Sequence, residues 1–232
     1  MLDVDAMFFH SAVNSLTEAE SQKTVAEDMK SKLLSIPYLR EYETWDLDDE
    51  IDVRFSKEEV DLVEDLKAKA RISSSKFLQA AATTHIFCVA ALEAHVNKTA
   101  SKLLESKTFE HFEKLSIEGK WMILPQLLGK ERLKTGHQPF QDFAALIKIR
   151  NKLVHYKGKK IPYFAADPGD VYGPLGLSVE AAAKSLEATK NMIRVQAEIL
   201  GREIPKWIED NISDYLNVEI HIGNVKTPKG EQ

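Results

Sequence analysis

Apolar positions recur three and four residues apart along nearly the whole chain, the spacing of helices buried on one side, and period-two alternation is scarce. The first such pattern runs from roughly Asp5 to Leu34. It should stop before Pro37, because a proline pushes the preceding residue out of the α region. Residues 36–55 read as a connection. Ser56 followed by Glu59 makes a capping box, so a second helix is expected to start there and continue to about Ala70, where Ser73 to Ser75 interrupt the pattern. Lys76 to about Glu105 is the longest pattern. Phe77, Ala81, Thr84, Cys88 and Ala91 lie on one side with Val89, Leu92 and Val96 beside them, which predicts a central bundle helix.

Phe109 to Leu128 reads as a shorter helical region broken near Gly119 and Pro125, and Gly129 to Pro139 as a basic turn. In the helix predicted from Phe140 to about Lys157, apolar residues (Phe143, Leu146, Ile147, Ile149, Leu153, Val154, Tyr156) cover more than half the circumference, predicting burial on several sides. Residues 158–177 hold Gly158, Gly169, Gly173, Gly176, Pro162, Pro168 and Pro174 and are expected to form a long loop. Ser178 caps a helix reaching Leu200, with an extension through Trp207 to Leu216 after Pro205. Two short alternating runs, Ile51–Phe55 and Val218–Ile222, leave room for one minor strand pair. The expected fold is an all-α helical bundle. Its parts are an N-terminal helix and connection (1–55), the bundle (56–216) and a C-terminal tail (217–232).

Composition sharpens this picture only locally. With 44% hydrophobic and 29% charged residues in 232 positions, the chain is expected to fold unaided. No apolar run approaches the roughly 20 residues of a membrane span. The N-terminus carries Asp3 and Asp5 where a signal peptide needs basic residues, so a cytoplasmic protein without membrane contact is expected. Cys88 is the only cysteine, which excludes an internal disulfide and a CxxC zinc site. A net charge of −5 argues against nucleic-acid binding over the whole surface. Yet between Asp142 and Asp167 there is no acidic residue, while Lys148, Arg150, Lys152, Lys157, Lys159 and Lys160 crowd the interval around His155. A polyanion would bind here; a solvated charged face is the plainer reading.

Within that interval Arg150 and His155 are separated by four residues. The spacing alone carries little, since Arg132 and His137 repeat it across a turn containing Gly136. The Arg150 pair differs in lying on a helix where Lys148, Asn151, Lys152 and His155 fall at i, i+3, i+4 and i+7, a single polar stripe on an otherwise apolar helix. An ordinary solvent face has the same pattern.

The stretch Leu146-Ile-Lys-Ile-Arg150-Asn151-Lys-Leu-Val-His155-Tyr156 resembles the signature of the HEPN superfamily, helical bundles marked by an Arg, a polar residue after it, and a His four to six positions on. Ala90-Ala-Leu-Glu93-Ala-His-Val-Asn97 is similar to the long second helix of such domains, and the resemblance covers roughly Ser73 to Leu200. It implies an HEPN-like bundle with an extra N-terminal helix, acting as a homodimeric, metal-independent endoribonuclease of a defence or toxin–antitoxin kind without cofactor. Two copies of the motif would meet in one cleft and cut RNA through its 2′-hydroxyl. His155 would move protons, Arg150 would hold the scissile phosphate, and Asn151 would orient the ring or a ribose hydroxyl. Lys148, Lys152 and Lys157 would contact the RNA backbone. Glu93 would support Arg150 from a neighbouring helix, or be a surface residue. Partners would be RNA, a second copy, and an antitoxin or nucleotidyltransferase-like protein. The alternatives are a non-catalytic HEPN module that binds a nucleotide, RNA or partner protein, and a structural adaptor in which the His155 face is buried.

Other features read as packing. His85 and Cys88 share a helix face without further ligands, so a core pair is expected rather than a metal site. Trp45, Trp121 and Trp207 are isolated core or interface anchors. Tyr163, Phe164 and Tyr172 would stack on bases or pack on the bundle.

Overall fold

The structure, a computed structural model, describes residues 3–36, 56–155 and 172–209. Six α-helices are present among the described residues and no strand: α1 (Val4–Ser35), α2 (Lys57–Leu103), α3 (Ser106–Phe112), α4 (Ile117–Leu127), α5 (Gln138–Val154) and α6 (Val179–Leu200). The all-α class follows directly. The candidate strands Ile51–Phe55 and Val218–Ile222 lie outside the described residues, as does the helical extension beyond residue 209; within it, Lys206–Ile208 forms a 3-10 turn.

The helix ends obey their local chemistry. Ser56 accepts from the Glu59 backbone N–H at 3.2 Å while Glu59 accepts from the Ser56 N–H at 2.9 Å, a complete capping box on α2. Ser178 caps α6 by accepting from the Ala181 N–H at 3.1 Å. Two expected breaks are absent. α2 runs without interruption through Ser73–Ser75, because three serines cost only a few tenths of a kcal/mol each and α1 packs along this stretch, burying Ala70 and Ser73. Gly119 and Pro125 both lie inside α4. Gly119 is in its first turn, where its N–H is capped by Ser116 Oγ at 3.1 Å, and Pro125 is in its last turn, where only one ladder bond is lost before the helix ends. The break in this region lies instead between Phe112 and Ile117.

α1 and α2 form a long antiparallel pair. The start of α1 meets the end of α2 at Asp5 and His95, Ala19 packs with Ala80 and Ala81 midway, and Leu33 meets Val63 and Leu66 at the other end. Small residues along this seam let the helices approach closely. At 47 residues α2 is about 70 Å long. The rest of the bundle packs on its C-terminal half: α6 runs parallel to it, with Ser185 beside His85 and Thr189 beside Cys88, and α5 runs antiparallel to α6. α4 closes the end through Trp121, which packs on Phe143 and His95. Ala6, Phe9 and Ala12 of α1 share one core with Leu92 and Val96 of α2, Phe143 and Leu146 of α5, and Met192 and Ile193 of α6. The N-terminal helix is therefore a structural part of the bundle. Of the tryptophans, Trp121 and Trp207 are core residues and Trp45 is outside the described residues. Among the described residues α2 alone contains a window long and apolar enough to cross a membrane, a test of length and composition that the core helix of a helical bundle also passes.

α5 is less buried than its apolar content predicts. Phe143, Leu146 and Ile147 are in the core, Ile149 and Leu153 are half-buried, and Val154 is 53% exposed. The reason is architectural: α2 and α6 cover one side of α5, and among the described residues no helix covers the other.

Candidate functional site

The polar stripe on α5 is exposed as the periodicity requires. Lys148, Asn151, Lys152 and His155 all face solvent, and Arg150 is half-buried beside them. His155 is the C-cap of the helix, its backbone N–H donating to Asn151 O at 3.0 Å. Cations gather at this terminus, where the unpaired carbonyls of the last turn carry partial negative charge. Among the described residues nothing buries the His155 face, which runs against the reading as a structural adaptor.

The side chains do not all meet as expected. Arg150 Nη1 donates to Asn151 Oδ1 at 3.0 Å, so the carboxamide braces the guanidinium rather than the imidazole. The His155 ring has no hydrogen-bond partner among the described residues. Glu93 is not beside Arg150. It accepts from Lys120 Nζ at 2.9 Å, and that lysine is 3% exposed, so the carboxylate neutralises a buried ammonium on α4. Glu93 lies two helical turns beyond His85, whereas the Arg150 end of α5 packs at the level of His85 through Ile149 and Gly176. Lys157, Tyr163 and Phe164 fall outside the described residues.

The segment behind the motif is held by a buried histidine. His85 Nε2 lies 2.7 Å from Gly176 O and Nδ1 lies 2.8 Å from Ser185 Oγ. The carbonyl can only accept, so Nε2 carries the proton and Nδ1 accepts from the serine hydroxyl. Burial holds the imidazole below its usual pKa, in keeping with this neutral form. Gly176 has φ +69, and a Cβ there would stand 3.1 Å from Ile149. His85, Gly176 and Ile149 thus lock the return of the chain against the helix that carries the motif. Cys88 is fully buried and its thiol is pushed up to about 12 by burial, so the His85–Cys88 pair is packing.

Sequence reasoning missed a second polar cluster. Asp5, 1% exposed, accepts from His95 Nδ1 at 3.0 Å and from Lys98 Nζ at 2.9 Å, and Lys98 also pairs with Asp3. Burial alone would raise the Asp5 carboxyl, but the hydrogen bonds and charges of His95 and Lys98 together bring it down to about 2. His95 stacks on Trp121 and meets Trp207 edge-on. The partners are 90 or more residues apart in sequence, so no local spacing announces them. No three His, Cys, Asp or Glu side chains among the described residues converge as a metal site. Comparison of the chain with models of protein families, with curated proteins and with solved structures finds no match.

Proposed function

We propose that the chain is a metal-independent endoribonuclease of the HEPN type, acting as a homodimer in a defence or toxin–antitoxin setting. The observation that carries this reading is the solvent-facing stripe Lys148–Asn151–Lys152–His155 with Arg150 braced beside it, in a stretch free of carboxylates. A polyanion meets cations and one imidazole there, on a stretch whose own sequence carries no negative charge.

In this mechanism the RNA 2′-hydroxyl attacks the adjacent phosphorus and the bond to the 5′ oxygen breaks, leaving a 2′,3′-cyclic phosphate. One His155 takes the hydroxyl proton and the His155 of a second copy protonates the leaving oxygen. Arg150 offsets the charge that gathers on the phosphate. Lys148, Lys152 and Lys157 hold the flanking backbone without reading sequence. That the His155 ring has no partner among the described residues favours one rival, a non-catalytic module that binds RNA, a nucleotide or a partner protein through the same stripe.

The deciding experiment incubates the full chain with matched RNA and DNA oligonucleotides, with and without EDTA. Cleavage of RNA alone, in EDTA, with a cyclic phosphate end and a decline as salt rises, is expected. Cleavage of DNA or a strict need for Mg²⁺ overturns the mechanism, and binding without cleavage selects the rival reading.

A further inference from the structure

A groove of about 550 Å³ runs between α5 and α6. It follows α5 from Gln138 to Ile149, a path of about 16 Å. Leu146, a core residue, is its floor. Its accessible walls are Ala145 and Ile149 on α5 and Ala181 on α6. Ala145 is exposed, and a methyl group there leaves open a slot that a longer side chain would close.

The groove adjoins the polar stripe of the same helix. Residues three apart on a helix are surface neighbours, which sets Lys148 beside Ala145 and Lys152 beside Ile149. Lys184, exposed on α6 and three residues after Ala181, lines the facing wall. Cations thus border the apolar part on both helices. The far end has other chemistry. Asp142 accepts there from Gln138 Nε2 at 2.7 Å, and half-buried Asn191 gives its Oδ1 to Arg194 at 3.1 Å, which leaves the amide N–H groups as donors. Glu187 also lines the groove but is paired with Lys190 at 2.9 Å. An amphipathic partner helix would press apolar side chains on the Asp142 carboxylate and the Asn191 amide and leave them unpaired. A flat ring with a hydrogen-bonding edge, carried on a phosphate chain, suits each part: apolar walls for its faces, cations for its phosphates, an acceptor and a donor for its edge.

We propose that the groove between α5 and α6 holds a base of the RNA strand whose phosphates lie on Lys148 and Lys152, with Asp142 and Asn191 at the edge of the base. The inference rests on the reading of the α5 stripe as an RNA-binding face. Asp142 lies about 9 Å along the helix axis from Lys148, a span that one nucleotide covers. The groove adds a readout of bases to a surface whose lysines carry no sequence information. A carboxylate only accepts, so bases with an exocyclic amino group are favoured over uracil.

The test measures binding of the full chain to short 2′-O-methyl RNA strands, which cannot be cleaved through the 2′ oxygen, and to an abasic sugar–phosphate strand of equal length. Fluorescence anisotropy should show the base-bearing strands binding at least about tenfold tighter than the abasic one. Strands of adenine or cytosine should bind tighter than strands of uracil. Ala145→Leu, at an exposed position of a helix that accepts leucine without strain, should remove the advantage of the bases and leave abasic binding unchanged. Asp142→Asn should narrow the difference between cytosine and uracil strands. Equal binding of base-bearing and abasic strands, or a full advantage kept in Ala145→Leu, overturns the groove and leaves the α5 stripe standing. If no strand binds, the ribonuclease reading falls and the groove with it. Sedimentation of Ala145→Leu supplies a last check: a changed oligomeric state with the advantage of the bases intact gives the groove to a second copy and overturns the proposal.

Discussion

At the end of α5, Lys148, Asn151, Lys152 and His155 come from two turns of a single helix and face solvent. At the far end of α6, Asp5, His95, Lys98 and Gln196 come from three helices and are largely buried. The α6 helix separating them is about 33 Å long. A solvent-facing stripe costs the fold almost nothing, so its residues are free to be chosen for what they touch. The buried cluster is bound up with stability, because Asp5 must stay paired and its partners must stay placed. Mutations should therefore separate the two ends: the first should move activity without stability, the second stability first.

The strongest break of this contrast is His155→Ala. It should lower RNA cleavage by about 10²–10⁴-fold and leave unfolding free energy within about 0.5 kcal/mol of the parent. Single-turnover cleavage beside urea unfolding measures both, and a large stability loss would erase the distinction. Next is Asp5→Ala, which leaves the partly buried His95 imidazole and the Lys98 ammonium without their carboxylate and should cost about 3 kcal/mol in urea unfolding. The same carboxyl gives a pH signature. Its pKa in the folded protein is about 2, against 3.8 for a free aspartate. Its contribution, about 2 kcal/mol, is complete above about pH 5 and lost as the pH falls through 3.8 toward 2. Asp5→Asn should flatten that part of the stability profile, and an unchanged profile would show that Asp5 is not held by its partners.

Gly176→Ala probes the lock behind the α5 motif. A left-handed φ of +69 and a Cβ 3.1 Å from Ile149 should together cost about 1–3 kcal/mol. Because Ile149 precedes Arg150, cleavage should fall as well, which thermal melts and activity assays on the same preparation can compare. The smallest effect is expected from Glu93→Gln. Half-exposed Glu93 keeps a hydrogen bond to Lys120 but loses the countercharge, so a cost of about 1 kcal/mol with unchanged RNA cleavage follows. A selective loss of cleavage would restore Glu93 to the Arg150 site.

Much of the helical layout is readable from pattern and caps. The capping box at Ser56, the Ser178 cap and the stop before Pro37 are local hydrogen-bonding and steric facts, and each stands where the residues place it. The polar stripe of α5 is readable for the same reason, since four side chains on one helix share a face whatever the helix packs against. The readings that failed are those that depend on neighbours. Three serines interrupt a hydrophobic pattern but not a helix supported along its length by α1. Seven apolar residues on α5 suggest burial all round, yet the number of covering helices decides it, and Val154 is left exposed.

By itself the sequence determined the helix periods, the end signals and the composition of the α5 stripe, because these depend on residues within about a turn of one another. Only the tertiary structure decided that Glu93 serves Lys120 rather than Arg150, that His85 holds Gly176, and that Asp5, His95 and Lys98 form one cluster. The physical reason is sequence distance. Hydrogen bonds and ion pairs act over a few ångströms, and partners 27 to 100 residues apart come within that range only when antiparallel and parallel packing fix the register of one helix on another.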